Sequence, residues 1–168
     1  MEKERKERAV RQKASKLLLL LLFMLTACDN TLFHKFASLE SGVWNSTDTL
    51  AYCFEGVPAR MGEGCYSIRM EVRTTANYSY RNVVMRVEAF ALGDTLPQVE
   101  DTLTCEVYDN SGRRNGSTAG ILYQTESETK ALPSLIGDTL LFKVTHIMAD
   151  SALNGISDVG LKLMINRE

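Results

Sequence analysis

The stretch C-Y-S-I-R-M-E-V-R-T-T, Cys65 to Thr75, decides the fold. Tyr66, Ile68, Met70 and Val72 fall on one side of an extended chain, and Ser67, Arg69, Glu71 and Arg73 on the other. A repeat of two is the period of a strand with one face in a core. It predicts Ile68, Met70 and Val72 buried, with Arg69 and Glu71 exposed.

The same period recurs on both sides of this stretch. Leu50, Tyr52 and Phe54 alternate with Ala51, Cys53 and Glu55, and Gly56, Pro58, Gly62 and Gly64 punctuate the connection that follows. Beyond a polar turn over Ala76-Asn77-Tyr78-Ser79 come Val83, Met85, Val87 and Ala89. Gly93 to Asp101 then reads as a loop carrying Pro97. Leu103, Cys105 and Val107 form a further apolar face, ended by Asp109-Asn110-Ser111-Gly112, a strong turn signal. Arg113 to Ala119 reads as a loop, Gly120 to Thr125 as a weak strand, and Glu126 to Gly137 as a second turn region. Two strands close the chain, with faces Leu140, Phe142, Val144, His146 and Val159, Leu161, Leu163, Ile165. At the other end Leu32 to Leu39 is a candidate edge strand, and Gly42 to Thr47 around Trp44 a loop.

No segment sustains a 3.6-residue apolar repeat. Seven or eight short strands with glycine-rich turns predict one antiparallel β-sandwich over residues 32–168, jelly-roll or Ig-like. Val87, Phe142 or its neighbour Leu141, and Leu161 complete the predicted core. If the strands at Leu50 and Tyr66 form a hairpin, Cys53 and Cys65 meet at its base, so they are the candidate disulfide. Cys105 shares a face with Leu103 and Val107 and is expected to be a buried free thiol.

The N-terminal segment has a different composition. Lys16 to Asn30 reads K-L-L-L-L-L-L-F-M-L-T-A-C-D-N, with positive charge before it. That is the layout of a secretory signal peptide over residues 1–27. Leu25-Thr26-Ala27-Cys28 resembles a bacterial lipobox, in which the Cys28 thiol is acylated and the chain is cut before it. The apolar run Leu17–Ala27 spans 11 residues, whereas a membrane-crossing helix needs about 20. Residues 28–31 are then a lipidated N-terminus and short tether. The polar segment before Leu17 is long for such a signal, and initiation near Val10 is one expectation. Of 19 Lys/Arg and 21 Asp/Glu, seven and three lie in the leader, leaving 12 and 18 and a net charge of −6. An acidic domain without a basic stripe argues against nucleic acid as a partner.

Catalytic and cofactor signals are weak. The two histidines, His34 and His146, have no Cys, Asp or Glu at metal-ligand spacing. Ser41-Gly42 and Ser111-Gly112 lack a G-x-S-x-G context, and there is no phosphate- or dinucleotide-binding fingerprint. Glu100-Asp101 and Glu126/Glu128 sit beside turn residues, where solvated carboxylates are expected rather than a hydrolytic dyad. No cofactor, metal or small-molecule substrate is indicated. The strand–turn–strand junction Arg73 to Asn82 is richer. Arg73, Tyr78, Tyr80 and Asn82 form a candidate interaction surface, since Tyr and Arg are enriched in interfaces. The competing reading has tyrosine and arginine bracing the hairpin through hydrogen bonds.

Several segments carry a family resemblance: R-x-x-x-x-Y-x-Y-x-N from Arg73 to Asn82, D-N-S-G from Asp109, F-K-V-T-H-I-M from Phe142, and L-N-G-I-S-D-V-G-L from Leu153 to Leu161. Behind a lipobox, in this order, they resemble the GldH-type gliding-motility lipoproteins of Bacteroidetes. After the D-N-S-G turn the chain departs from the family pattern, with Arg113-Arg114-Asn115 in place of an aromatic. The resemblance implies a non-enzymatic accessory lipoprotein of the cell envelope, with envelope proteins of the gliding apparatus as partners. It also implies lipid anchoring, expected on the periplasm-facing outer membrane. A carbohydrate-binding envelope lipoprotein is the alternative, requiring an exposed coplanar pair among Trp44, Tyr78, Tyr80 and Tyr123.

Overall fold

A computed structural model describes residues 30–56 and 66–166, so Cys28 and Cys65 lie outside the described residues. The described chain is all strand and loop. In chain order the strands are β1 (Thr31–Ser38), β2 (Val43–Asn45), β3 (Leu50–Glu55), β4 (Tyr66–Thr74), β5 (Asn82–Ala91) and β6 (Val99–Glu106), followed by β7 (Ser117–Ala119), β8 (Leu122–Glu126), β9 (Lys130–Leu132), β10 (Thr139–His146), β11 (Ala152–Asn154) and β12 (Ile156–Ile165). One sheet runs β1-β12-β4-β8-β7, with β9 also paired to β4. The second runs β3-β10-β5-β6, and β11-β2 is a small ribbon. All described pairings are antiparallel. Most connections cross from one sheet to the other, and the order β1-β12-β4-β8 over β3-β10-β5-β6 is that of a jelly roll.

The sandwich interior follows the predicted faces. Ile68, Met70, Val72, Val87, Phe142 and Leu161 are each at most 2 % exposed. Truncating any of them would remove transfer energy and leave a cavity, typically about 2–5 kcal/mol. The Tyr52 hydroxyl of β3 donates to the Val159 carbonyl of β12 at 2.7 Å, pinning one sheet to the other across the core. Burial pushes that phenol well above its usual pKa. Phe33 of β1 meets Phe54 of β3 edge-on, with ring centroids 5.8 Å apart.

This contact fixes which ends of the two sheets coincide. At one end Thr31 enters, opposite Met164, and Glu55 pairs with Thr139 and Ala91 with Leu140. We call this the entry end. At the other end Thr74 pairs with Ile156, Asn82 with Glu106 and His146 with Met85. We call this the braced end.

The structure corrects four expectations. The segment around Trp44, the Arg113–Ala119 loop and the Glu126–Gly137 turn region contain the three-residue strands β2, β7 and β9, too short to show an alternation. Strand β6 starts at Val99, inside the segment read as a loop, because Glu100-Asp101 interrupts its apolar face. Strands β3 and β4 lie in different sheets rather than in a hairpin, so the premise for pairing Cys53 with Cys65 fails. Cys53 is an exposed free thiol, whereas Cys105 is fully buried, as its strand face predicted. Finally, Glu71 is 2 % exposed rather than solvated.

Candidate functional site

The burial of Glu71 traces to a missing side chain. Glu71 on β4 stands opposite Gly160 on β12, which stands opposite Phe36 on β1. With no Cβ at Gly160, the Phe36 ring lies down over its backbone, and a Cβ there would sit 2.6 Å from the ring. Phe36 and His34 then reach inward from the edge strand and roof Glu71. Both carboxylate oxygens find partners: His34 Nε2 lies 3.2 Å from Oε1, and Gln124 Nε2 donates to Oε2 at 2.8 Å. Gln124 Oε1 in turn accepts from Arg73 Nε at 2.9 Å, and the Arg73 guanidinium stacks 3.8 Å from the Phe36 centroid. A buried carboxylate is costly unless its hydrogen bonds are made, and here they are. A histidine beside a carboxylate can act as a general base. Around His34 the structure also places the Phe36 ring, centroids 5.2 Å apart, and Lys162 opposite it on β12.

At the braced end the Arg73–Asn82 junction resolves into parts that do not form one surface. Arg73 turns to the outer face of the six-stranded sheet. Tyr78 is buried at 1 % exposure; its hydroxyl donates to the Asn82 carbonyl at 2.7 Å, and its pKa is raised well above the usual value by burial first. Tyr80 packs on Tyr78 with centroids 5.6 Å apart and donates to the Asp150 carboxylate, which raises its pKa. Hydrogen-bonded bracing therefore describes Tyr78 and Asn82.

Arg114, which in the sequence marks only a departure from the family pattern, is the hub of this end. Its guanidinium stacks on Tyr108 at 4.7 Å and on Tyr123 at 4.1 Å. Its nitrogens donate to the Thr74 hydroxyl and to the carbonyls of Thr75 and Ala76. Arginine suits this role because its planar fork stacks and donates at once. The only sequence signal was an arginine near the D-N-S-G turn. Within that turn, the Ser111 hydroxyl and the Arg113 amide hold the Asp109 carboxyl below its usual range.

His146 sits beneath this end at 2 % exposure, edge-on to the Trp44 ring with centroids 5.2 Å apart. Desolvation lowers its pKa, with the Trp44 backbone and Asp48 opposing. It is a packed neutral imidazole. Cys105 is fully buried, its Sγ 3.5 Å from the Met70 carbonyl. Burial, then the Glu71 and Glu126 carboxylates, push its pKa up, the opposite of an activated thiol.

Three of the four acidic residues weighed as a dyad are engaged with cations, and Glu128 lines a groove beside β6. Glu100 lies 3.3 Å from Arg86, Asp101 3.1 Å from Lys130, and Glu126 pairs with Arg69. This groove, of about 760 Å³ and mixed polar and apolar lining, opens between β6 and strands β7, β8 and β9, lined by Thr102, Thr104, Asn115, Ser117, Glu128 and Thr129 among others. It offers hydroxyls and amides for hydrogen bonding. Among the described residues no group of three or more His, Cys, Asp or Glu is placed to hold a metal ion.

Comparisons with known proteins add a family. Matches to solved structures are distant. Eiger TNF from S. frugiperda is 11 % identical, with 80 % of this chain aligned to 92 % of that one at a TM-score of 0.35. Dimeric latent PorU from Porphyromonas gingivalis is 10 % identical, with 84 % of this chain aligned to only 14 % of that one at a TM-score of 0.36. No curated protein matches in sequence. The family model described as GldH lipoprotein matches residues 31–163, almost the whole sandwich, and the chain therefore belongs to the GldH lipoprotein family.

Proposed function

We propose that this chain is a non-enzymatic structural component of the gliding machinery, acylated on Cys28 and held by residues 28–31 at the periplasm-facing outer membrane. Membership of the GldH lipoprotein family, which is associated with gliding motility, is the observation that carries the reading. The chemistry of the domain supports it. His146 and Cys105 are buried, Glu71 is fully bonded, and Glu100, Asp101 and Glu126, three of the four surface carboxylates considered for hydrolysis, face arginine or lysine. Its partners are other envelope proteins of that machinery, with no nucleic acid or small-molecule substrate. Arg73 and Tyr80, half-buried on different faces, would contribute to partner contacts separately.

The carbohydrate-binding alternative loses its platform. Trp44 and Tyr78 are buried, and Tyr123 lies under the Arg114 guanidinium, so the four aromatics offer no exposed coplanar pair.

The test starts at the anchor. One acyl chain binds membranes marginally and two or more bind stably, at about 0.8 kcal/mol per buried CH₂. Cys28→Ala is expected to abolish labelling by a fatty-acid analogue and to block lipoprotein-type cleavage. A labelled Ala variant would overturn the acylation. In vivo crosslinking followed by co-purification is expected to recover envelope proteins of the gliding apparatus, and recovery of none would count against the assignment to that machinery.

A further inference from the structure

Of six exposed large apolar side chains among the described residues, four stand at the entry end, and Ile121 and Ile147 stand apart from them at the braced end. Leu92, Leu96 and Ile136 are 65 %, 77 % and 76 % exposed, and Leu32 on β1 is 37 % exposed. Leu92 and Leu96 sit on the β5–β6 loop and Ile136 on the β9–β10 loop. The two loops are clamped together. The Gln98 side-chain amide donates to the Ile136 carbonyl at 2.6 Å and accepts from its N–H at 2.8 Å, while Leu92 N–H donates to the Thr139 carbonyl at 3.0 Å. Apolar groups held outward on a cross-linked pair of loops form a patch of the kind that marks an interaction surface.

The length of chain beyond the sandwich says what covers it. Thr31 opens β1 at this same end, opposite Met164, and Cys28 is three residues earlier. Three extended residues span about 10 Å. Across the sheet Met164 faces Ser67 and Ser67 faces Ala131, so β9, which feeds the Ile136 loop, lies three strand spacings from β1. At about 4.8 Å per spacing that is on the order of 15 Å. Acyl chains on Cys28 would therefore enter the bilayer within reach of the loops. Charge narrows the mode of contact. Glu55, Asp94 and Asp138 are the charged residues at the described loop edges, so attraction to anionic headgroups contributes nothing and the contact is apolar.

We infer that the β5–β6 and β9–β10 loops seat the entry end on a lipid surface, with Leu92, Leu96 and Ile136 entering its interface. The inference rests on the proposed acylation of Cys28. It adds an orientation: the long axis of the sandwich stands off the membrane, with the braced end outermost.

The test uses the full-length protein, purified with its native N-terminus and reconstituted into phosphatidylcholine vesicles containing a brominated lipid quencher. Leu96→Trp is compared with Ile121→Trp, which lies beside the braced end at 89 % exposure. The native Trp44 is fully buried and gives a common background. The expected result is a blue-shifted L96W emission that the brominated lipid quenches, with I121W red-shifted and unquenched. Equal absence of quenching at both positions overturns the inference. So does an L96W signal shielded from aqueous acrylamide but untouched by brominated lipid, which would put another protein, or a second copy of this chain, on the loops. Mass spectrometry of the N-terminal peptide reads the anchor separately. An unmodified Cys28 ends the acylation reading, whereas an acylated Cys28 with no L96W quenching ends only the inference about the loops.

Discussion

The two ends of the sandwich are built on opposite rules. At the braced end Trp44, Tyr78, Leu153 and Ile156 are fully or nearly fully buried, Arg114 is sandwiched by two tyrosines, and the ribbon β11-β2 caps the core. At the entry end three large aliphatic side chains point outward on loops joined by one glutamine. The same chain closes one mouth of its core with buried aromatics, leaving Ile121 and Ile147 exposed beside it, and gathers three exposed aliphatics on clamped loops at the other. Sealing is therefore not a general demand of the fold, and the difference has to be read as two separate tasks. One end holds the sheets together. The other is left with surface that water does not favour.

The largest expected effect comes from unsealing the braced end. Trp44 is fully buried, its indole Nε1–H donating to the Asp48 carbonyl at 3.0 Å. Trp44→Ala should cost about 3–5 kcal/mol in urea denaturation. A loss under 1 kcal/mol would mean the ribbon does not close the core. Next is Gly155, where φ is +86° and a Cβ would lie 2.6 Å from the Tyr78 nitrogen. Gly155→Ala combines a conformation that L residues avoid with a backbone collision, and roughly 2–3 kcal/mol should be lost. Tyr78→Phe removes only the hydroxyl bonded to the Asn82 carbonyl and should cost about 1 kcal/mol.

The braced end also carries a pH dependence. The His146 pKa is lowered below 6.5 in the fold, mainly by desolvation. Above that value both folded and unfolded states hold the neutral ring and stability is unaffected. As pH falls below it, the unfolded chain takes up the proton first, so stability declines until the folded pKa is passed. Asp109 has its pKa lowered from 3.8, so its contribution disappears only in a more acidic range. His146→Phe should abolish the first decline and leave the second, measured as urea midpoints across the two ranges. An unchanged first decline would assign it to another group.

How much of this was legible in the sequence depends on whether one strand face or several strands fix the outcome. The interiors of β4, β5, β10 and β12 were legible because alternation within a single strand decides them. Glu71 was not, since its burial depends on Gly160 opposite it, 89 residues on, and on Phe36 opposite Gly160, 35 residues back. The expected hairpin between the strands at Leu50 and Tyr66 failed for a related reason. Neighbours in sequence need not be neighbours in a sheet, and this jelly roll sends β3 and β4 to opposite layers. At the candidate site Tyr78 and Tyr80 were singled out as residues, but their roles were set by Asn82, Asp150 and Arg114, and no local pattern encodes a guanidinium between two distant rings.

The smallest effect expected is the most discriminating for the entry end, and adjacent residues in one loop supply it. Leu135 is 5 % exposed and belongs to the core, while Ile136 is 76 % exposed. Burying a carboxylate at Leu135 strands a charge in an apolar site, so Leu135→Asp should be severely destabilising. Ile136→Asp leaves the Gln98 clamp intact, since both of its bonds go to the Ile136 backbone. Its stability in solution should stay within about 0.5 kcal/mol of the parent, and Leu96→Asp should behave alike. Paired urea denaturations of the four proteins would decide it. If Ile136→Asp fell with Leu135→Asp, the loop would be folded onto the domain, and the contrast between a sealed end and an open one would collapse. If it did not, these side chains contribute nothing to holding the sandwich together, and their apolar character answers to something outside it.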